Sequence, residues 1–541
     1  MIYVARELTY LDVVPEAAKE QLSRTWGDAK SRTFAVAKKH GIKIEQEKSF
    51  NKAVVFTLGA GYYHLVSGAA SMEDAAQTED VIGKVNGLIE HMAGSERRRG
   101  LVPLFGSNIC DWDSAYAQRV GASAKMRDEI IRSCTANDIV LVGGETANIG
   151  EQLRKKGIGW TFTLLSRYDG EVGRAVAYGG MDLELESTFG FIEEKEFFEV
   201  VNAGGMPLLH VRKPSRFMIT ADGSGSKSIV CDLIGNRTDI EDTLASAGDD
   251  PTRDGAFPVI ASICVHAHGP EGKMQMVEHM NKAGMKYRIP LVGSLFHEAK
   301  TVYTYTMNGT VLSRVKADYR QEELCAGLRL VLLYEEQRSN GITLQRRVLE
   351  NAFGQEWYSV KASDALDRIK SELGYGEGLP KTDKTLGELV ARPPTPYFRI
   401  DSLMPDSLLA SIRLRINVSS GGIVGKTRRV LEPLGLGAEY DNIFDAPMLI
   451  LLLQMSSRLG NSKGVVTDRV SYHTWGCGTG AVIATTEPER IADYYRKNGV
   501  DAKVGGRITD DDGIRLWSRC FDSMHSKPHV LDYRYSESPI G

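Results

Sequence analysis

Residues 216–228 read RFMITADGSGSKS, a short strand-type apolar run that breaks into two glycines, a carboxylate and an ammonium. What decides the fold is that a series begins here which the chain has already run through once. Onward from this stretch come the strand-type run FPVIASICVHA (257–267), a helical pattern near Lys273–Ala283 and YRIPLVGSLF (287–296). Backward lies AVVFTLGAGYYHLV (53–66), then VPLFGSNI (102–109), a helical pattern near Ala117–Cys134 and DIVLVGGETA (138–147). Laid over one another, VFTLGAGYYH (55–64) meets MITADGSGSK (218–227), LVPLFGSNIC (101–110) meets FPVIASICVH (257–266), and VLVGGETA (140–147) meets PLVGSLFH (290–297). Each series closes on Ser-Arg, in WTFTLLSR (160–167) and VYTYTMNGTVLSR (302–314). The order of elements predicts two homologous α/β domains, residues 1–170 and 171–318, followed by a different domain over 319–541.

The length of 541 residues fits three such units. With 42% hydrophobic and 25% charged residues, the composition excludes collagen-like and disordered classes. A net charge of −4 lacks the basic footprint of a nucleic-acid binder. Seven cysteines without a C-x-x-C pair argue against a zinc ribbon or a disulfide framework and point to a reducing, cytoplasmic setting. The apolar run Ala446–Met455 is too short to cross a bilayer, and the N-terminus shows no signal-type apolar core, so no membrane partner is expected. Residues 1–50 read as helices on a surface or at an interface, 370–395 as a loop or insertion, and HSKPHVLDYRYSESPIG (525–541) as an extended tail.

The loop Asp222-Gly223-Ser224-Gly225-Ser226-Lys227 suits a phosphate. Glycines let backbone N–H groups approach the oxygens, Lys227 supplies a point charge and Asp222 is a hard ligand for Mg²⁺. Gly143-Gly144-Glu145-Thr146 ends a buried-type strand, the usual ligand position in α/β sheets. Asp249 and Asp250 precede a strand, and a carboxylate there is expected to share a metal with Asp222. In the third domain, Arg338-Ser339-Asn340-Gly341, Ser419-Ser420-Gly421-Gly422 and Gly476-Cys477-Gly478-Thr479-Gly480 are small-residue junctions, the first two directly before helical patterns. Together they suggest a ligand cradle near helix N-termini. Cys477 has no identifiable base, and His266, His268 and His473 lack metal-ligand spacing, so structural roles are expected for all four.

These loops together resemble the aminoimidazole ribonucleotide synthetase superfamily, in particular phosphoribosylformylglycinamidine cyclo-ligases. The residues that carry it are ITADGSGSK (219–227), DPTRDGAFP (250–258), LVGGETA (141–147), RSNGITLQRRVLE (338–350), RPPTPYF (392–398), SSGGIVGKTRRVLE (419–432) and YHTWGCGTGAVI (472–483). The resemblance implies an α/β (α+β) fold: two tandem N-terminal-type domains forming an internal pseudo-dimer, then one C-terminal-type domain. It implies ATP and Mg²⁺ as cofactors and cyclisation of formylglycinamidine ribonucleotide in purine biosynthesis. On this reading Asp222 and Asp250 hold the metal and Lys227 and Asn340 join Asp222 as catalytic residues. Gly223, Gly225, Ser226, Gly143, Gly144, Glu145, Thr146, Ser339, Gly341, Gly421, Gly422, Arg429, Gly478 and Gly480 bind ATP or substrate.

In the family the D-G-x-G-[ST]-K loop precedes L-V-G-G-E-T-A, and here the order is reversed. Leu58 and Tyr63, one residue before the strict overlay partners Gly59 and His64, are taken at the positions of Asp222 and Lys227, and Ser294 and Leu295 at those of Gly144 and Glu145. The losses are complementary. One composite site is therefore expected, from Asp222–Lys227 and Asp250 of the second copy with Gly143–Thr146 of the first, and Leu58→Asp is expected to do little. Arg338 stands where cyclo-ligases carry His, and Ser420 where they carry the first of three glycines, so substrate detail is left open. Another ATP-dependent kinase or synthetase of the superfamily, and a non-catalytic nucleotide-binding protein, are the alternatives. The fused chain is expected to be a monomer or a further homo-oligomer.

Overall fold

The computed structural model describes residues 31–46, 54–72, 78–112, 122–148, 158–170, 185, 188–189, 194–270, 272–299, 302, 304–336, 340–375, 379, 382–459, 465–525 and 529–536. Side chains of 46, 78–79, 112, 122–124, 144–148 and 524–525 are not among those described. The strands, in chain order, are β1 (Ile44–Gln46), β2 (Val54–Leu58), β3 (Gly61–Met72), β4 (Leu101–Trp112), β5 (Val140–Asn148), β6 (Ile158–Tyr168), β7 (Phe198–Ala203), β8 (Met206–Val211), β9 (Ser215–Gly223), β10 (Ala256–Ala267), β11 (Leu295–Glu298) and β12 (Tyr305–Val315). They form two sheets of identical plan, β7-β8-β3-β6-β4-β5 and β1-β2-β9-β12-β10-β11. The α/β class and the internal pseudo-dimer are what the structure shows.

Each sheet carries helices on its outer face because those helices have one apolar stripe. Val81, Val85, Ile89 and Met92 of the Thr78–Arg98 helix are buried at steps of four and three, as are Met276, Met280, Ala283 and Tyr287 of Lys273–Tyr287. The inner faces meet each other, so β6 and β12 are buried on both sides and read as Thr, Val, Leu and aromatic residues with little alternation. Where the sheets meet, Thr163 and Thr310 join their hydroxyls at 2.9 Å, and Ser67 bridges Thr163 and Ser262 at 2.9 and 2.7 Å. Because Ser166-Arg167 and Ser313-Arg314 end matching strands, Thr163 and Thr310 are the same position in the two copies. Their bond lies on the internal two-fold.

The outer hairpins are exchanged. The β1–β2 hairpin, which precedes the first copy in the chain, pairs with β9 of the second; β7–β8, which precedes the second, pairs with β3 of the first. Leu58 pairs with Ser215 and, across a short crossing, Gly61 with Val211, so β2 and β3 act as one long strand that passes from sheet to sheet against β8 and β9.

Registers correct the overlay. Tyr63 pairs with Arg167 and Phe217 with Arg314, which makes Gly68, opposite Phe162, the counterpart of Asp222, opposite Gly309. Leu58 belongs to the exchanged hairpin and is not that counterpart. The overlay of β4 on β10 moves by one position, since both strands shift register at a proline, Pro103 and Pro258. The overlay of β5 on β11 stands as read, because Glu145 pairs with Ile109 and Leu295 with Cys264. Leu58 is 1% exposed in the core shared by both sheets. Leu58→Asp is therefore not silent: it is expected to cost more than about 3 kcal/mol in a urea titration, through burial of an unpaired carboxylate.

The third sheet comprises β13 (Arg329–Glu335), β14 (Ile412–Asn417), β15 (Gly437–Tyr440), β16 (Gly478–Thr485), β17 (Ala502–Thr509), β18 (Gly513–Trp517) and β19 (Val530–Arg534), in the order β14-β16-β13-β17-β15-β18-β19. Two readings change here. The tail contains an edge strand, β19, antiparallel to β18. Within 370–395, the helix Leu386–Val390 is started by a Thr385/Glu388 capping box and buries Leu386 and Val390 in the third core. Residues 1–30 lie outside the described residues.

Within the third unit Arg415 and Asp401 form a fully buried ion pair at 2.9 Å, and contacts beside it dock the unit to the second copy. Arg415 also reaches Thr252 and Asn417, Asn417 holds the carbonyl of Asp249, and the Phe398 amide donates to Asp249 Oδ1 at 2.8 Å. The DPTRDGAFP segment thus begins as a docking turn, closed at Gly255 with φ of 68°.

Candidate functional site

The DGSGSK loop leaves β9 and ends at the N-terminus of the Lys227–Leu233 helix. Asp222 Oδ1 accepts from the Gly223 amide at 2.8 Å, an Asx-type contact that sets the turn, and Gly225 takes φ of 52°. A Cβ at Gly223 would lie 2.9 Å from Asn308 Oδ1, so the neighbouring strand requires glycine there. Ser226 Oγ meets Thr343 Oγ1 of the Ile342–Phe353 helix at 2.9 Å, so the loop touches the third unit.

Lys227 is fully buried. Its ammonium donates to Asp242 Oδ1 at 2.9 Å and to the Arg392 carbonyl at 2.6 Å. The expected role as a phosphate-facing point charge does not fit this position: the group ties the loop to the Thr238–Asp249 helix and to the RPPTPYF segment.

The metal pair is corrected as well. Thr220 Oγ1 donates to the Ala247 carbonyl, and Gly309, opposite Asp222, abuts Thr243, so β9 runs antiparallel to the Thr238–Asp249 helix. Asp250 then lies about 10 Å from Thr243 along that helix axis, on the side away from the end of β9. Asp250 instead faces Arg253 at 3.5 Å. Among the described residues no cluster of three or more metal-ligating side chains exists. Of the two, only Asp222 stands at this loop, with a carboxylate oxygen of the kind Mg²⁺ takes.

Gly143 is where the copies meet. A Cβ there would sit 2.6 Å from Ser107 Oγ and 3.1 Å from the Ile219 carbonyl oxygen, so β5 of the first copy lies directly against β9 of the second. The symmetric contact shows the direction: the Ser67 amide donates to the Gly293 carbonyl at 3.0 Å, and Ser71 Oγ meets His297 Nε2 at 3.2 Å, numbers rising together on both strands. By the same two-fold, Gly143–Thr146 runs alongside Ile219–Gly225. The side chains of Gly144, Glu145 and Thr146 lie outside the described residues.

Gly341 and Gly422 of the third domain converge on one junction beside Trp475. Asn340 is buried, and its Nδ2 donates to the carbonyls of Ser419 at 3.1 Å and Thr474 at 2.5 Å. Its side chain therefore joins three loops, a positioning role in place of the catalytic one expected. Gly341, Gly421 and Gly422 all have positive φ, and a Cβ at Gly341 would lie 2.5 Å from Trp475 Nε1. Gly478 and Gly480 are buried strand residues of β16 packed on Phe444 and Tyr397. Arg429 lies apart from the junction residues, in a narrow cavity of about 30 Å³ with Arg253 and Lys426. Arg338 and Ser339 lie outside the described residues. Burial holds His473 low, at a pKa of about 4, so it is neutral at pH 7. Cys477 is buried and burial raises its thiol, consistent with a structural residue.

Two carboxylates escaped the sequence reading. Asp239 and Asp242 sit one turn apart on one face of their helix, both buried beside the DGSGSK loop. Burial pushes the Asp239 carboxyl up, with Tyr305 and Ser228 opposing it. The i, i+3 spacing in TDIED (238–242) was the available signal.

No protein-family model and no curated protein sequence matches this chain. Solved structures do align with it. A thiamine-monophosphate kinase from Stenotrophomonas maltophilia aligns at 13% identity over 61% of this chain and 94% of its own, with a TM-score of 0.38. A HypE–HypF complex aligns at 10% identity over 59% and 90%, TM-score 0.34. Phosphoribosylformylglycinamidine synthase II from Thermotoga maritima aligns at 12% identity over 56% of this chain and 42% of its own, TM-score 0.36. Among the described residues, no helix is long and apolar enough to cross a membrane.

Proposed function

We propose that the chain is an ATP-using enzyme that phosphorylates an oxygen of a small substrate, and that the reaction is cyclisation of formylglycinamidine ribonucleotide to aminoimidazole ribonucleotide. The observation that supports this best is the approach of β5 to β9: the two motifs that one family domain carries together are split between the copies here, and the internal two-fold brings their strands side by side.

In the proposed reaction the amide oxygen takes the γ-phosphoryl group of ATP, the amidine nitrogen closes the ring and phosphate leaves. Such a step depends on positioning and charge neutralisation. The backbone of the Gly225–Ser226 turn faces the nucleotide phosphates, Asp222 supplies a carboxylate oxygen to Mg²⁺, and Lys227 fixes the loop to Asp242 and, through the Arg392 carbonyl, against the third unit. Mg²⁺, when bound, offsets the charge of the phosphates. Asn340 and the glycines around it shape the substrate end of the site.

The test is purified full-length chain with Mg-ATP and formylglycinamidine ribonucleotide, following ADP and aminoimidazole ribonucleotide together. Equal amounts of both are expected. ADP formed only with a different acceptor would overturn the cyclisation and keep ATP use, whereas no turnover with any acceptor in a panel of phosphorylated metabolites would overturn both.

A further inference from the structure

Two residues along the same strands from the Thr163–Thr310 contact, Thr161 and Asn308 also meet across the internal two-fold, Asn308 Nδ2 donating to Thr161 Oγ1 at 3.1 Å. Each has a further partner from the opposite copy. Asn308 Nδ2 donates to Asp111 Oδ2 at 2.7 Å, and Thr161 Oγ1 meets His266 Nε2 at 2.9 Å. Asp111 pairs with Gly159, two before Thr161, and His266 with Thr306, two before Asn308, so Asp111 and His266 hold one position in the two copies. All four side chains are buried.

The two ends of this network differ in what they adjoin. On the His266 side, Thr161 stands opposite Ala69, in the copy without the glycine loop. On the Asp111 side, Asn308 stands opposite Gly223, where the turn of the DGSGSK loop begins, and its Oδ1 is the atom 2.9 Å from a Cβ there. The residue before it holds Ser224: the Ser224 amide donates to the Met307 carbonyl at 2.9 Å, and the Ser224 hydroxyl accepts from the Met307 amide at 3.2 Å. The Asn308 amide can sit only one way round, because reversal would set its oxygen against the Asp111 carboxylate. With Nδ2 committed to Asp111, Oδ1 is turned onto Gly223, the residue after Asp222.

We propose that Asn308 is a positioning residue for the DGSGSK loop and that Asp111, supplied by the other copy, sets its orientation. For its effect on ATP the inference rests on the proposed function: a displaced Gly223 displaces the Asp222 carboxylate and, with it, Mg-ATP. The first copy then gives the site more than its Gly143–Thr146 strand, since through Asp111 it also places the loop.

The test combines amide hydrogen exchange with kinetics on the full-length chain. Asn308→Asp sets two carboxylates face to face and should raise the exchange rate of the 222–227 amides at least about 10-fold. The KM for Mg-ATP should rise by a similar factor, with kcat changed less than about 3-fold. The swapped pair Asp111→Asn/Asn308→Asp restores one amide–carboxylate bond with the roles reversed, and should bring both values back to within about 3-fold of the parent. Asp111→Asn alone loses only the charge; it should raise loop exchange at least about 3-fold, and it decides the question if Asn308→Asp does not fold. His266→Gln, at the mirrored position, should leave loop exchange within about 2-fold. Loop exchange unchanged in the Asp111 and Asn308 variants, or raised equally by His266→Gln, would overturn the proposal. A parent chain that turns over no ATP would overturn the proposed function, and the exchange rates would still decide the role of Asn308.

Discussion

Asp222→Asn is expected to lower ATP turnover about 100-fold or more, with the unfolding midpoint unchanged. The two parts of this result have separate causes. The turn depends on Asp222 Oδ1 accepting from the Gly223 amide at 2.8 Å, and an asparagine carbonyl oxygen accepts the same bond. What asparagine removes is the negative charge at the end of β9, which in the proposed function is the part that meets Mg²⁺ and the nucleotide phosphates. A coupled ADP assay beside a thermal melt measures both. Turnover within a few fold of the parent would remove the composite site. Alanine at Asp250 is the control: since that carboxylate faces Arg253 at 3.5 Å, its loss should leave turnover largely intact.

Arg415→Met should be the most damaging change to stability, at about 3–5 kcal/mol near neutral pH. Both Arg415 and Asp401 are fully buried, and removing the guanidinium leaves a buried carboxylate supported, among the described residues, by the Tyr495 hydroxyl. Burial already pushes the Asp401 carboxyl up to about 6, against the pull of Arg415. That sets the sign of the pH dependence. A carboxyl whose folded pKa is raised binds more protons in the folded state, so its contribution is fully present below about pH 4 and is lost as pH rises through about 6. The parent should therefore lose stability relative to Asp401→Asn between those values, by about 2–3 kcal/mol. The cost of Arg415→Met should shrink at pH 5, where Asp401 can be neutral, and the double variant Arg415→Met/Asp401→Asn should recover much of it. Urea titrations at two pH values read all three variants, and a cost that is the same at both would exclude Asp401 as its source.

The repeat was legible because certain residues act as register marks. Ser-Arg ends β6 and β12, and a proline shifts the register in β4 and β10. The segment without such a mark, AVVFTLGAGYYHLV, was placed wrongly. Apolar alternation says that a residue is in a strand but not which neighbour it pairs with. Hairpin exchange is invisible for the same reason: β2 would satisfy its hydrogen bonds equally well against either copy, and a short crossing allows both.

At the site, the glycine loops were legible because backbone approach demands glycine. The fate of Lys227 was not, because its partner Asp242 lies on the next helix and its second acceptor is the backbone of Arg392 in the third unit. Asn340 was found for its position in a motif, while its contacts with the Ser419 and Thr474 carbonyls depend on loops that only the tertiary fold brings together.

The exchanged hairpins make the two copies interdependent in synthesis as well as in structure. When residues 61–168 have left the ribosome, β3 still shows a bare edge along Gly61–Tyr63, and its covering strand β8 is not made until residue 211. The β1–β2 hairpin waits longer for its place beside β9. Neither half is a self-sufficient folding unit. A nick between β6 and β7 would thus yield two fragments that are aggregation-prone apart and recover one structure when coexpressed, each having handed the other its edge.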